Sequence, residues 1–476
     1  MATLIAHNDF LFVSNGLKFI VMDFKRKTQN YRRCLSSFRP KLRSNSSLTS
    51  EYEKSAYSNY IKSLKKPYSG QIDSINMHGA LQNIMTPFHS IPYDEELGFK
   101  LIKNKEAVGK LLRKDDSFQY ARSVLSPGHR LNQYRNQDEF SIGVGVDGNT
   151  KTVGFFVKVL GKNKVICVPP TEIMVIKDKH KQICSLYENV IRQSPLSAYH
   201  QARNPNGFWS DISVRTNSQE ESFVTVKVNG EADKKSVEDL KDSFLNIVSR
   251  LSMKQVFSKD TTATIIDNGE DLHETINGIK LRISQETNYF SNTAMMKELY
   301  NEIFKGLRFI SKDSVLLDLN CGCGFSSISA SSHCNTVIGF DKNVNDALYN
   351  AEMNGVQDQT SFFHGDLKIT IPRFFEIASD SMIANKPVYV LIHSRESIGY
   401  EVFECFRKCP HIERVVYVTS VPEKQPLFDF INMIKFRFNS MMKNSVNYTP
   451  FKFCYATPID LYPSTRHCEH IFVFRR

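Results

Sequence analysis

The sequence predicts an α/β protein in which a C-terminal parallel sheet flanked by helices follows an α+β domain. Three observations carry this. From Ser314 onward, apolar runs ("SVLLDL", "NTVIGFD", "VYVLIH", "RVVYVTS") alternate with helical segments, as strands buried on both faces do. The run "DLNCGCG" places a glycine turn directly after the first of these strands. Between about 75 and 270, a hairpin and further strands appear without regular alternation.

The elements follow in order. "IPYDEELGFKLIKNKEAVGKLLRK" reads as a helix, with Asp94 to Glu96 at its start and Leu97, Leu101, Val108, Leu111 and Leu112 at helical spacing. Phe140, Ile142, Val144 and Val146 alternate, and Asp147-Gly148 turns the chain into a second apolar run, which makes a hairpin. A strand (Val224, Val226, Val228), a helix around 236–251 and a strand near Ala263 to Ile266 complete a domain of 75–270. "INGIKLRI" carries an Asn-Gly turn and leads into a helix whose apolar face is Met296, Leu299, Tyr300, Ile303 and Leu307, with Thr293 as its N-cap. The remaining domain spans 271–476, and "HIFVFRR" closes the chain.

Charge is uneven. The chain of 476 residues carries a net +11, and residues 1–50 hold nine Lys or Arg against only Asp9 and Asp23. Most of the surplus therefore belongs to the N-terminus, and nucleic-acid binding by the folded body has to be argued from motifs. Residues 1–55 form a basic, Ser- and Arg-rich segment whose stretch from Phe24 to Ser50 has no acid. It matches a mitochondrial presequence, with a disordered basic tail as the alternative. The first implies a mitochondrial location and the second a cytoplasmic or nuclear one. Ten cysteines lie without a CxxC pair, so no zinc or iron–sulfur set is expected and free thiols are the default. No apolar run is long enough to span a bilayer, so no membrane association is expected.

Asp318, Gly322 and Gly324 lie at the first strand-to-helix turn, and Asp341 ends the next strand. Glycines there admit a ligand close to the backbone, and an acid about 20 residues on can bind ribose hydroxyls. Ser327 stands where a dinucleotide fingerprint has its third glycine. The loop suits a ligand without a pyrophosphate, such as S-adenosylmethionine; a purely structural turn is the alternative.

Taken together, the motifs resemble the S-adenosylmethionine-dependent RNA uracil-5-methyltransferases, particularly the animal tRNA (uracil-5-)-methyltransferases acting on the T-loop uridine. "TPFHSIPYDEEL", "YRNQDEFSIGVGVDG", "FWSDISVRTN", "LRISQETNYFSNTA", "LLDLNCGCG" with "VIGFD", and "PIDLYPSTRHCEHIFVF" match in order over roughly residues 80–476. The resemblance implies a Rossmann-like methyltransferase domain preceded by an RNA-binding domain, with tRNA as partner. It implies RNA contact by Tyr134, Arg135, Asn136 and Phe140, against the alternative of a hairpin start whose Arg135 pairs with Glu139. In the family a cysteine thiolate adds to uracil C6, C5 attacks the methyl donor, and a glutamate strips the C5 proton. That glutamate is matched by Glu469, beside His467. Ser420 stands at the position of the cysteine.

A thiol of pKa about 8.5 is a few per cent thiolate at pH 7. A hydroxyl nearer water's roughly 15.7 loses about seven further units, on the order of 10 kcal/mol. Two more departures coincide. The family's Asp-Pro-Pro-Arg loop falls at "LIHSRESIGYE", where Arg395 alone matches, and Phe290 replaces a cofactor-binding glutamine. The resulting expectation is a tRNA-binding family member impaired in catalysis. The alternatives are an active enzyme forming 5-methyluridine and a structural partner of an active paralogue.

Overall fold

The computed structural model describes residues 72–111, 119–120, 123–159, 164–200, 204–229, 253–259, 262–265, 271–284, 291–308, 310–377, 382–383, 385–420, 426–434 and 450–476. The expected presequence, the helix around 236–251 and Phe290 lie outside the described residues.

The first described elements are α1 (Met77–Met85) and α2 (Tyr93–Leu111), followed by a short strand, β1 (Gln119–Tyr120). The central sheet is then built from β2 (Gln137–Gly143), β3 (Thr152–Val159), β4 (Lys164–Val168), β5 (Trp209–Thr216), β6 (Ser222–Val228), β7 (Met253–Lys259) and β8 (Thr262–Ile265), with α3 (Asp178–Gln193) between β4 and β5. Its spatial order is β4-β3-β2-β5-β6-β7-β8, antiparallel except for the β6–β7 pair. The Asp147-Gly148 hairpin forms as expected, with Gly148 at φ +80° in the turn. α3 buries Ile183, Cys184, Tyr187 and Ile191, one face of a 3.6-residue period, in a cluster with Phe140, Trp209, Ile212 and Val224.

β9 (Leu272–Ile276) and β10 (Ile279–Ile283) form a hairpin turned by Asn277-Gly278, both at positive φ. α4 (Met296–Gly306) follows and buries Met296, Leu299, Tyr300 and Ile303, as their spacing predicts. Thr293 does not cap it by side chain; its Oγ1 instead accepts from Asn136 Nδ2.

The C-terminal elements are β11 (Val315–Leu319), α5 (Phe325–Ser331), β12 (Thr336–Asp341), α6 (Asn345–Met353), β13 (Thr360–His364), α7 (Leu367–Ile377), β14 (Val388–His393), α8 (Tyr400–Lys408), β15 (Ile412–Thr419), α9 (Pro426–Ile434), β16 (Lys452–Ile459) and β17 (Glu469–Arg475). The sheet order is β1-β16-β17-β15-β14-β11-β12-β13. Strands β13, β12, β11, β14 and β15 are parallel, and apolar clusters cover both faces of the sheet. The sheet is mixed rather than wholly parallel, because β17 inserts antiparallel between β15 and β16. This is the Rossmann-like α/β architecture that the sequence predicts.

The strands of the central sheet all lie before residue 270, while β1 crosses to the C-terminal sheet by pairing with β16, and Leu125 bridges Ile459. One expectation is corrected: α2 does not bury a plain leucine stripe. Its fully buried positions include Glu96 and Lys100 beside Phe99, while Leu97 and Leu101 are half-buried.

Candidate active site

The C-terminal ends of β11, β12, β14 and β15 lie along one edge of the sheet, where open α/β folds gather ligands. Asp318 precedes the last residue of β11 and is buried. The Ser326 and Ser327 hydroxyls each donate to its Oδ2 at 2.6 Å, whereas Oδ1 has no hydrogen-bond partner. Burial pushes this carboxyl up to about 6, against the pull of the two hydroxyls. The loop then turns through Asn320, Gly322 and Gly324, all at positive φ. Gly322 N–H donates to Asp341 Oδ2 at 2.9 Å, and Asn343 N–H to Oδ1 at 3.2 Å. The acid ending β12 is thus fixed against the glycine turn. A Cβ on Gly324 would lie 3.0 Å from Ala347 Cα, so this glycine also lets α5 approach α6. Ser327, at the missing third glycine, is a buried donor to Asp318 rather than a defect.

At the other end of the edge, Ser420 is half-buried just beyond β15. The β15–β17 register pairs Thr419 with His470, which carries Ser420 to the level of Glu469. Glu469 is buried, and its Oε1 has no hydrogen-bond partner. Burial pushes its carboxyl up to about 7, opposed by the Arg395 cation. His467 lies in the preceding turn, where its N–H donates to Thr465 Oγ1 and its ring meets Tyr462 edge-on.

The sequence reading missed His393, the last residue of β14. Its Nε2 lies 3.7 Å from Glu469 Oε1. Desolvation, and then the Arg395 cation, push the imidazole down to about 4. A third of the side chain still reaches solvent, which softens the desolvation without reversing either cause. At pH 7 the ring is neutral, so this contact is not an ion pair. The available signal was a polar residue ending an apolar strand at the ligand edge.

Among the described residues no replacement thiol is at hand. Every described cysteine is raised by burial above the ordinary thiol range, including Cys405, Cys409 and Cys468. Cys468 Sγ points instead at the Ile459 carbonyl. Among the described residues there is no cluster of His, Cys, Asp and Glu able to hold a metal ion.

The four residues expected to contact RNA are buried in this structure. Phe140 sits in the core, edge-on to Phe155. Tyr134 donates its hydroxyl to the Pro463 carbonyl at 3.2 Å. Arg135 Nε bonds Asp138 Oδ1 at 2.6 Å rather than pairing with Glu139. Asp138 Oδ2 lies 2.7 Å from His180 Nδ1, whose Nε2 meets Thr216 Oγ1. Asn136 reaches Thr293. The physical reason is position: this stretch is the joint between the central sheet and the loop before β17, and its polar groups are spent there.

No family model matches the chain. It is 26% identical over 453 residues to the human tRNA (uracil-5-)-methyltransferase homolog B, covering 87% of each chain. It is 24% identical over 435 residues to human tRNA (uracil-5-)-methyltransferase homolog A, covering 83% of this chain and 67% of that one. Among solved structures, the Pyrococcus abyssi tRNA (uracil-54, C5)-methyltransferase in complex with S-adenosyl-L-homocysteine superposes with a TM-score of 0.55 at 16% identity. The match covers 81% of this chain and 84% of that one, and it establishes the shared fold.

Proposed function

We propose that this relative of the tRNA (uracil-5-)-methyltransferases binds tRNA and holds S-adenosylmethionine, but is impaired in the covalent route to 5-methyluridine. One observation carries the reading: an alcohol, Ser420, stands at the end of β15 level with Glu469.

The glycine turn and its two acids fit the methyl donor, although Phe290 stands where a glutamine would bind it. Asp341, oriented by two loop amides, keeps lone pairs for ribose hydroxyls. The orphaned Asp318 Oδ1 offers an acceptor within a buried acidic turn. When bound, S-adenosylmethionine supplies an electrophilic methyl sulfonium. Glu469, raised to about 7, can hold or release a proton at neutral pH, as a base at C5 requires. What the chain lacks is the electron-rich atom that makes C5 nucleophilic. Ser420 offers only an alcohol there, and a hydroxyl costs on the order of 10 kcal/mol more than a thiol to ionise.

The proton-accepting position is not the obstacle, since Glu469 is retained; this supports an active enzyme as the second reading. Purified protein, unmodified tRNA and radiolabelled methyl donor separate the two. Retention of tRNA on a filter without label in uracil supports the first reading, and label at C5 supports the second. A protein that retains no tRNA would instead fit a structural partner of an active paralogue. The basic N-terminal segment supports a mitochondrial location, which a fluorescent fusion with and without residues 1–55 tests.

A further inference from the structure

The far end of the C-terminal sheet carries charge that neither the glycine turn nor Glu469 uses. The strand register sets Arg475 on β17 directly opposite Arg414 on β15 and Lys452 on β16. Arg475 and Lys452 are exposed and Arg414 is half-buried. Neighbouring strands lie about 4.8 Å apart, so these cations form a close row across the sheet. Arg308, exposed just beyond α4, joins them. Burial raises the Cys454 thiol against the pull of both Arg475 and Arg414. Burial and Glu302 raise the Tyr455 hydroxyl against the pull of Arg414 and Arg308. The fields of these side chains therefore overlap on one patch of surface.

Like charges directly opposite one another across a ladder are destabilising, and the nearby acids do little to offset them. Glu302 is already paired with Lys305, and Glu413 accepts from the Tyr389 hydroxyl at 3.1 Å. Arg414 has a structural role as well, since its Nη1 approaches the Gly306 carbonyl at the end of α4. Among the described residues, Lys452 and Arg475 make no ion pair. The row also stands away from the ligand edge. Arg475 lies six residues along β17 from Glu469, a strand length of about 20 Å.

We propose that this row is a second RNA contact, which takes the phosphate backbone of the duplex that continues from a loop held at the ligand edge. This rests on the proposed function and extends it from the loop to the stems. Phosphate is the chemistry that exposed guanidinium forks and an ammonium fit. Such contacts position a helix without reading its sequence. Whole tRNA supplies the helix, because its T-stem stacks on the acceptor stem, whereas a minimal T-loop hairpin ends short of the far end. The row cannot be seen in the sequence, where its members are scattered from Arg308 to Arg475.

The test is fluorescence anisotropy with the full chain, on whole unmodified tRNA and on a minimal T-loop hairpin, over a salt series. Lys452→Gln combined with Arg475→Gln should weaken whole tRNA by about tenfold at low salt. It should lower the salt slope by about 2, one for each lost phosphate contact. Hairpin affinity should stay within about twofold, because those contacts lie beyond its reach. Lys368→Gln combined with Arg373→Gln removes equal charge from α7, on the opposite face of the sheet, and should leave both RNAs within about twofold. Hairpin binding on the same preparation reports the folded fraction. Unchanged tRNA affinity in the row variant, an equal loss on the hairpin, or an equal loss in the α7 variant overturns the inference alone. A wild type that binds neither RNA overturns the tRNA-binding reading, and the inference falls with it.

Discussion

Lys100 Nζ lies 2.6 Å from Asp460 Oδ1 across 360 residues of sequence, with both side chains essentially excluded from solvent. Lys100 also reaches Glu96 Oε1 at 2.8 Å and the Tyr462 carbonyl at 3.0 Å. Glu96 in turn accepts from Ser464 N–H and Arg130, and Asp460 from the Tyr93 hydroxyl. Two cations and two carboxylates thus fasten α2 to the loop that delivers His467 and Glu469.

Removing one member of this quartet strands a buried charge. Lys100→Met should lower the stability of the folded chain by about 3–5 kcal/mol, read as a shift in the denaturant midpoint. A shift no larger than that of a surface lysine substitution would show that the cluster is not holding the loop.

Glu469 should impose a pH dependence of its own. Its pKa rises on folding from 4.5 to about 7, so between those values the folded chain binds more protons than the unfolded chain. Stability from this group is therefore complete below pH 4.5 and falls as pH rises through about 7, by about 3 kcal/mol in all. His393 and His470, pushed down to about 4 and about 3 by burial, act with the opposite sign at acid pH. Comparing Glu469→Gln with the wild type isolates the carboxyl: the variant should gain relative stability between pH 5 and pH 8, and parallel curves would contradict the assignment.

Gly324→Ala should cost about 1–3 kcal/mol through its left-handed backbone, with added crowding against Ala347 Cα at 3.0 Å. Thermal denaturation and binding of S-adenosylmethionine should weaken together, because the same turn carries Gly322 and its bond to Asp341.

Tyr134→Phe removes one buried hydrogen bond, to the Pro463 carbonyl. Stability should fall by about 1 kcal/mol, and tRNA affinity should stay within about twofold. A loss of affinity without loss of stability would return Tyr134 to the RNA surface.

Restoring the thiol alone should achieve little. Ser420→Cys is expected to give no denaturant-resistant adduct with 5-fluorouridine RNA, since the Asp-Pro-Pro positions remain altered. An adduct would show that one atom was the whole deficit.

Much of the fold was legible because the signals are local. Apolar runs from Val315, Thr336, Val388 and Ile412 became neighbouring strands, and Asp147-Gly148 became a turn. Asp318, Gly322, Gly324 and Asp341 gather in one loop because strand ends of a parallel sheet share an edge. The antiparallel placement of β17 was not legible, since apolar alternation says nothing of direction. Nor was the burial of Tyr134, Arg135, Asn136 and Phe140, because an aromatic beside an arginine serves equally as a base platform or a domain joint. The burial of Lys100 and Glu96 was not legible because charges on a helix usually face water, and only a distant acid, Asp460, reveals otherwise.

The pairing of Gln119 and Tyr120 with Tyr455 and Ala456 gives the chain an out-and-back path. It lays down an outer ribbon of the last sheet, leaves to build the central domain, and returns to supply the rest. Neither lobe can be cut out cleanly by truncation: a fragment starting at residue 271 would carry Asp460 without its cation and an edge strand without its cover. On the ribosome, β1 must wait for β16 before its pairing partner exists, long after β2–β8 of the central sheet have emerged.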